Sequence, residues 1–368
     1  MKMPITAIRE EIEKKGHITF NRFMEMALYC PDFGYYETNR AIVGRSGDFY
    51  TSVSTGSLFG QMLAFQFAAW LSELPHQRNL RIVEAGAHDG RLAKDILEAL
   101  QSTHPAVFDQ ISYFILEPSE QRRTWQETTL KSFGTKTCWK RSFSELNQGA
   151  AMPAQAGIIF SNELLDAFPI HRFIWNAAER QWAELGVAAD GEEFKWTKIS
   201  DSDPGIPPSP LDSVLPDNYI IETCPAAVAW WREAAGVLQA GKLLTIDYGM
   251  TDDEVFNPAR LKGTLRAYYQ HHVTDDVLAR PGEQDLTAHI NFSSLQQAGE
   301  AAGLTTDAYL TQAQFLTRIL SALAPTPILR SWGAPQTRQF QTLTHPEHLG
   351  RSFKVLIQSR QNPGSEQG

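Results

Sequence analysis

Only three cysteines occur in 368 residues, Cys30, Cys138 and Cys224, and they are widely spaced. No Cys-x-x-Cys pair exists to hold zinc, and so few thiols cannot build a disulfide framework, so they read as reduced. No apolar run approaches the roughly 20 residues of a membrane-spanning helix. Basic residues are outnumbered, 33 Lys and Arg against 42 Asp and Glu, for a formal net charge of −9. That balance argues against a general nucleic-acid binder, which needs a basic excess to neutralise phosphates. The opening stretch MKMPITAIREEIEKKG carries several acids and no apolar core of signal-peptide type, so a cytoplasmic location is expected. Also missing are a Gly-x-Ser-x-Gly nucleophile turn, a Walker loop, a His-Glu-x-x-His pair and any internal repeat. Hydrolase and nucleotide-triphosphatase chemistries thereby lose their usual markers.

What is present is a globular composition, 42% hydrophobic and 20% charged, with enough chain for one large core and additional lobes. Residues 4–14 read as an amphipathic helix with Ile5, Ile8 and Ile12 on one face, and 19–28 as a second helix capped by Thr19. A turn-rich aromatic segment follows, from Tyr29 to Tyr36, and then Gly44 to Thr51. Either pins a loop to a core or covers a ligand. Apolar residues from Phe59 to Trp70 predict a largely buried helix over 59–74. Short apolar runs at 80–85, 111–117, 156–161, 242–247 and 353–359 predict strands, with weaker ones at 136–139 and 305–311, making seven. Strands buried on both faces and alternating with helical patterns indicate a parallel α/β sheet. Residues 172–200 read as an antiparallel hairpin or meander and 203–216 as a Pro-rich loop. Residues 250–292, poor in aliphatics, read as a loop set against a cleft.

Ligands of an open α/β sheet bind at the carboxyl ends of its strands, near the point where strand order reverses. The first end carries Glu84-Ala85-Gly86-Ala87-His88-Asp89-Gly90. This run fails the Gly-x-Gly-x-x-Gly dinucleotide pattern, which sets aside a nicotinamide-dependent oxidoreductase. It fits an acidic-x-Gly-x-Gly-x-Gly pattern for S-adenosyl-L-methionine (SAM), with His88 in the middle glycine's place. A purely structural strand-to-helix turn is the alternative. The second end carries Glu117-Pro118, where a carboxylate could accept both ribose hydroxyls or simply cap a helix. The fourth end carries Asn162-Glu163. An arginine guanidinium is a permanently charged planar fork of five donors, so a carboxylate such as Glu163 suits it as an orienting partner. Asp166 is expected to cap the helix that follows. Methyl transfer needs placement more than a nucleophile, so no nucleophile motif is required.

Taken together, several stretches resemble the MidA-like SAM-dependent methyltransferases. They are Phe23 to Tyr29 with Gly34-Tyr35-Tyr36, Gly47-Asp48-Phe49, Leu58-Phe59-Gly60, Glu84 to Ala93, Ser161 to Pro169, Ile246 to Gly249, Gly263 to Arg266 and Gly282 to His289. This family includes a mitochondrial complex I assembly factor that methylates an arginine of a complex I subunit. The resemblance runs from about residue 5 to 359. It implies a seven-stranded, Rossmann-like methyltransferase sheet with an N-terminal helical extension and inserted lobes. The expected division is a helical and lid segment at 1–58, a core of 59–171 and 236–360, a β-rich lobe at 172–235, a cleft loop at 250–292 and a disordered tail at 361–368. SAM is the implied cofactor, contacted by Asp48, Thr51, Glu84, Gly86, Ala87, His88, Gly90, Glu117, Pro118 and Asn162. Glu163, Asn162, Asp285 and His289 are the implied catalytic positions. The implied substrate is a protein, with arginine favoured and a respiratory-complex subunit as the family example. Two departures stand out: His88 replaces a glycine, and Ser52 to Gly56 replaces a stretch that usually carries a carboxylate. They leave open a second function, a SAM-binding assembly protein without turnover.

Overall fold

A computed structural model describes residues 4–38, 51–74, 80–146, 156–199, 214–257, 260–270 and 272–361. The Pro-rich stretch from 203 to 213, Asp48 and the tail from 362 onward lie outside the described residues. The chain divides into two compact units. One gathers Met1–Phe49, Asp166–Val228 and Gly249–Ser294; the other gathers Tyr50–Leu165, Ala229–Tyr248 and Leu295–Gly368.

The second of these holds the central sheet. Its strands are β1 Leu80–Ala85, β2 Ile111–Leu116, β3 Thr137–Lys140, β4 Ala156–Asn162, β5 Ala240–Met250, β6 Thr305–Thr311 and β7 Phe353–Arg360. They lie in the order β3-β2-β1-β4-β5-β7-β6. The first five are mutually parallel, and β7 runs antiparallel to both of its neighbours. All seven expected strands are therefore present. Every residue of β4 is buried, as a strand covered on both faces requires. Helices supply the cover. In Arg91–Thr103, Leu92, Ala93, Ile96, Leu97 and Leu100 recur at three- and four-residue spacing and are buried. The helix Leu58–Ser72, apolar almost all round, buries Phe59, Leu63 and Phe67. Phe67 meets Phe160 of β4 edge-on at 5.1 Å. Burying each such phenyl contributes roughly 2–3 kcal/mol, so a charge at Ile96 or Phe67 would break the layer.

Register decides which strand ends are level. Ala85 pairs with Leu116 on one side and with Ser161 on the other, and Ile246 pairs with Asn162. Gly86 and Glu117, which follow β1 and β2, Asn162 and Glu163 at the end of β4, and Asp247 within β5 thus lie along one edge of the sheet. Strand order reverses between β1 and β4, since the chain builds outward through β2 and β3 before returning.

The other unit is built on an antiparallel sheet of Ile18–Thr19, His171–Asn176, Gln181–Asp190, Glu193–Ile199 and Ile220–Thr223. The expected meander is there, extended by a strand from each side. Helices Pro4–Lys15 and Phe20–Tyr29 pack on it through Ile8, Ile12, Phe20, Phe23 and Met24. Thr19 caps the second helix, its hydroxyl accepting the Arg22 N–H at 3.2 Å. Ile5, expected on the same face as Ile8 and Ile12, is 41% exposed, in the first turn of its helix.

The stretch 250–292 is not a bare loop. It forms a second antiparallel sheet, with Arg266–Tyr269 between His272–Thr274 and Asp285–Thr287. Strands this short leave too few alternations to stand out in sequence. Only Ala267 and Leu286 are fully buried in them.

Candidate active site

The turn after β1 is a left-handed one. Gly86, His88 and Gly90 have φ of +74°, +46° and +84°. All three positions of the glycine pattern therefore adopt the conformation that favours glycine, and His88 does so with a side chain, at a cost of about 1 kcal/mol. A Cβ at Gly86 would lie 2.7 Å from a Leu164 methyl, so the backbone there passes closer to its neighbour than any side chain allows. Glu84, just before the turn, is 2% exposed and accepts the Tyr113 hydroxyl at 2.7 Å. Burial pushes its carboxyl up to about 8, the tyrosine bond opposing this only in part. Asp89 behaves oppositely: burial would raise its carboxyl, but neighbouring His88 and Arg91 outweigh it and hold the group below the usual range. The His88 Nε2 is buried and makes no hydrogen bond.

The end of β2 is tied to this turn by a residue the sequence does not advertise. Glu117, 3% exposed, accepts the Ser119 N–H at 2.9 Å, Arg122 Nε at 3.0 Å and Gln126 Nε2 at 2.9 Å. The same Gln126 amide donates to the His88 carbonyl at 3.0 Å, and its oxygen accepts Trp139 Nε1 at 2.9 Å. A fully buried amide thus fixes the spacing between the acidic strand end and the glycine turn. Pro118 stops β2 directly after Glu117 and withholds the N–H that would extend the ladder.

At the end of β4, Glu163 also takes a left-handed φ of +51°. Its N–H donates to the Ile246 carbonyl at 2.9 Å, which ties the turn to β5. One carboxyl oxygen accepts both the Ser52 N–H and Asn162 Nδ2 at 3.1 Å. Burial pushes this carboxyl up to about 8; the two bonds oppose the rise, and the nearby Asp247 charge adds to it. Asn162 is 9% exposed, and its Oδ1 is buried without a hydrogen bond. Such an orphaned acceptor costs stability unless a ligand donates to it. Asp166 does not cap a following helix as expected: it sits inside the 3-10 turn Leu165–Ala167, and the next element is the strand His171–Asn176. The start of that turn is held by Asp247, fully buried, which accepts the N–H groups of Leu164 at 3.2 Å and Leu165 at 2.9 Å.

Thr51 opens a turn in which Thr51 and Ser54 bond to each other reciprocally through hydroxyls and N–H groups. The structure therefore gathers Thr51, Glu84, Gly86, Ala87, His88, Gly90, Glu117, Pro118, Asn162 and Glu163 within one unit. Asp285 and His289 belong to the other unit. There Asp285, 5% exposed, accepts the Tyr36 hydroxyl at 2.7 Å. Burial, with the Asp285 charge next in weight, raises that phenol well above its usual range. The His289 N–H donates to the Thr264 hydroxyl at 3.0 Å. Gln126 is the contributor that motif reading missed, with no signal in the sequence. Ser52 stood in the stretch that departs from the family, and Tyr36 in the aromatic turn of the other unit, neither with a role assigned.

Sheet order, the left-handed turn after β1, the carboxylate after β2 and the orphaned acceptor after β4 define a Rossmann-like, SAM-dependent methyltransferase. The residues fit that cofactor: a close-approach turn, a carboxylate fixed in place and an unsatisfied acceptor all converge on the strand-order reversal. Residues 62–310 match the profile of a family of S-adenosyl-L-methionine-dependent methyltransferases, and the chain belongs to that family. It is 26% identical over 382 residues to the protein arginine methyltransferase NDUFAF7 homolog, mitochondrial, of Drosophila melanogaster, covering 95% of this chain and 83% of that one. The Homo sapiens protein arginine methyltransferase NDUFAF7, mitochondrial, is 24% identical, covering 94% and 81%. A Burkholderia thailandensis crystal structure bound to S-adenosyl-homocysteine superposes with a TM-score of 0.82 at 31% identity, covering 97% of this chain and 92% of that one. The cofactor of this family is SAM.

Proposed function

We propose that this SAM-dependent methyltransferase acts on a protein, and that its acceptor is an arginine guanidinium. Glu163 is the observation that carries the reading. It is a carboxyl directly after β4, on a residue in a left-handed backbone conformation, with one oxygen held by Asn162 and Ser52. A partly buried carboxyl with no cation beside it among the described residues is poised to take one: a guanidinium there would lower its pKa and be oriented by it. The names of the relatives at about 25% identity support arginine as the acceptor.

SAM supplies an electrophilic methyl group on a positively charged sulfur. Gly86, Ala87, His88 and Gly90 would hold its amino-acid end, Glu117 and Pro118 its ribose, and Thr51 and Asn162 would complete the enclosure. Glu163 orients the acceptor and balances its charge. The S–CH3 bond would be exchanged for an N–CH3 bond while the guanidinium releases one N–H proton to the Glu163 carboxylate, so the chain's task is placement in line beside that proton acceptor rather than activation by a strong base. The test is incubation of the purified chain with methyl-labelled SAM and protein extract, followed by hydrolysis and amino-acid analysis. Label in methylarginine that disappears in Glu163→Gln supports the reading. Label on another side chain, or undiminished labelling by Glu163→Gln, refutes it.

A further inference from the structure

The Ser52 N–H that holds Glu163 is itself held. Ser52 is fully buried, and its hydroxyl donates to the side-chain oxygen of Gln312 at 3.0 Å. Gln312 is also fully buried, and its amide nitrogen donates to the Leu343 carbonyl at 3.0 Å. That second bond fixes which way the amide faces. The nitrogen must point at the carbonyl, so the oxygen must point at Ser52, and the serine hydroxyl is left only the donor role. Gln312 is in turn the first residue of the helix Gln312–Leu323, whose start is pinned by a Thr311–Gln314 capping box. The following N–H, of Ala313, donates to Gly350 at 2.9 Å. From the other side, Thr55 closes the turn through its hydroxyl on the Ser52 carbonyl at 2.8 Å. The Thr51 carbonyl, which shares a peptide plane with the Ser52 N–H, accepts the Ser54 hydroxyl at 2.8 Å, so the N–H direction is fixed as well.

We propose that Ser52 and Gln312 are positioning residues for Glu163: the Gln312 amide locks the Ser52 hydroxyl, and through it holds the Ser52 N–H on the carboxylate that faces the acceptor. The proposal rests on the reading of Glu163 given above. It also accounts for this chain's departure at Ser52 to Gly56, where the segment serves as a buttress through its backbone and hydroxyls instead of adding a carboxylate. A buried amide bonded on both sides is costly to leave half-satisfied, so the relay acts as a unit.

The experiment is a carbon-13 NMR titration of protein labelled at glutamate carboxyls, with the Glu163 signal assigned by its loss in Glu163→Gln. An N–H donor favours the charged carboxylate, so loosening it should raise the titration midpoint of Glu163. Ser52→Ala and Gln312→Met are each expected to raise it by about 0.5 unit or more, and the double variant no further than the larger single effect. Ser52→Thr, which keeps the hydroxyl, should restore the wild-type midpoint. A merely structural role would lower thermal stability without moving the midpoint, and that result overturns the proposal. Should Gln312→Met not fold, the Ser52 pair decides alone. Failure of the parent reading is separate: Glu163→Gln would then label arginine as wild type does, whatever the midpoints do.

Discussion

Replacing Glu84 with Gln should make the unliganded protein's stability less sensitive to pH, and the size of the change follows from burial. Glu84 is 2% exposed, with the Tyr113 hydroxyl as its hydrogen-bond donor at 2.7 Å. Its carboxyl is pushed from an ordinary value of 4.5 to about 8 in the folded state. Because the folded value is the higher one, the folded protein holds the proton more tightly. The stabilisation is thus complete below pH 4.5 and is lost as pH rises toward about 8. Between pH 5.5 and 8.5 the lost part amounts to about 3 kcal/mol, at about 1.4 kcal/mol per pH unit with rounding near both ends. Glutamine keeps the acceptor for Tyr113 and cannot ionise. Urea unfolding of wild type and Glu84→Gln at those two pH values measures the difference. Glu163 also titrates in this range but is common to both proteins, so it cancels. Wild type should lose about 3 kcal/mol relative to the variant on going to the higher pH. An offset that does not change with pH would show that Glu84 is already ionised in the folded state, and would refute the reasoning.

Other outcomes follow from the same geometry. Glu163→Gln should lower acceptor kcat/KM by roughly 100-fold while leaving the Kd for S-adenosyl-homocysteine within about twofold, as calorimetry and steady-state kinetics would reveal. Wild-type acceptor kcat/KM should rise about tenfold per pH unit below about 8 and level off above it, because the carboxylate form is the one that pairs with a guanidinium. Gln126→Leu, which unties Glu117 from the glycine turn, should weaken SAM binding about tenfold; unchanged affinity would mean the tie is incidental. His88→Gly should raise the unfolding free energy by about 1 kcal/mol, since the backbone already sits at φ +46°. A loss of SAM affinity in that variant beyond about 100-fold would identify the imidazole as a cofactor contact, whereas a gain would mark it as an obstruction.

The sheet was readable from sequence because both faces of its strands are buried. Runs such as AGIIFS and LRIVEA have one reading in a chain that also supplies helical stripes between them, and register then places their ends together. Glu84, Glu117 and Glu163 were readable for the same reason, as charges stationed where apolar runs stop. The roles of Gln126, Ser52 and Gln312 were not. Each is one polar residue whose partners are set by tertiary packing, 38, 111 and 31 positions away. The start of the Leu165–Ala167 turn is held by Asp247 rather than by a neighbour in sequence, because the sequence does not reveal that a residue 82 positions later lies beside Leu165. The strands within 250–292 are two to four residues long, too short for alternation to rise above the surrounding polar residues.

The central claim, that this chain moves the methyl group of SAM to a protein arginine, is tested most directly by one labelling measurement. Purified protein, methyl-labelled SAM and protein extract are incubated, and the acid hydrolysate is resolved into its amino acids. The account predicts label in methylated arginine, dependent on Glu163. Tight binding of S-adenosyl-homocysteine with no labelled amino acid in any extract, or label on a side chain other than arginine, would contradict it.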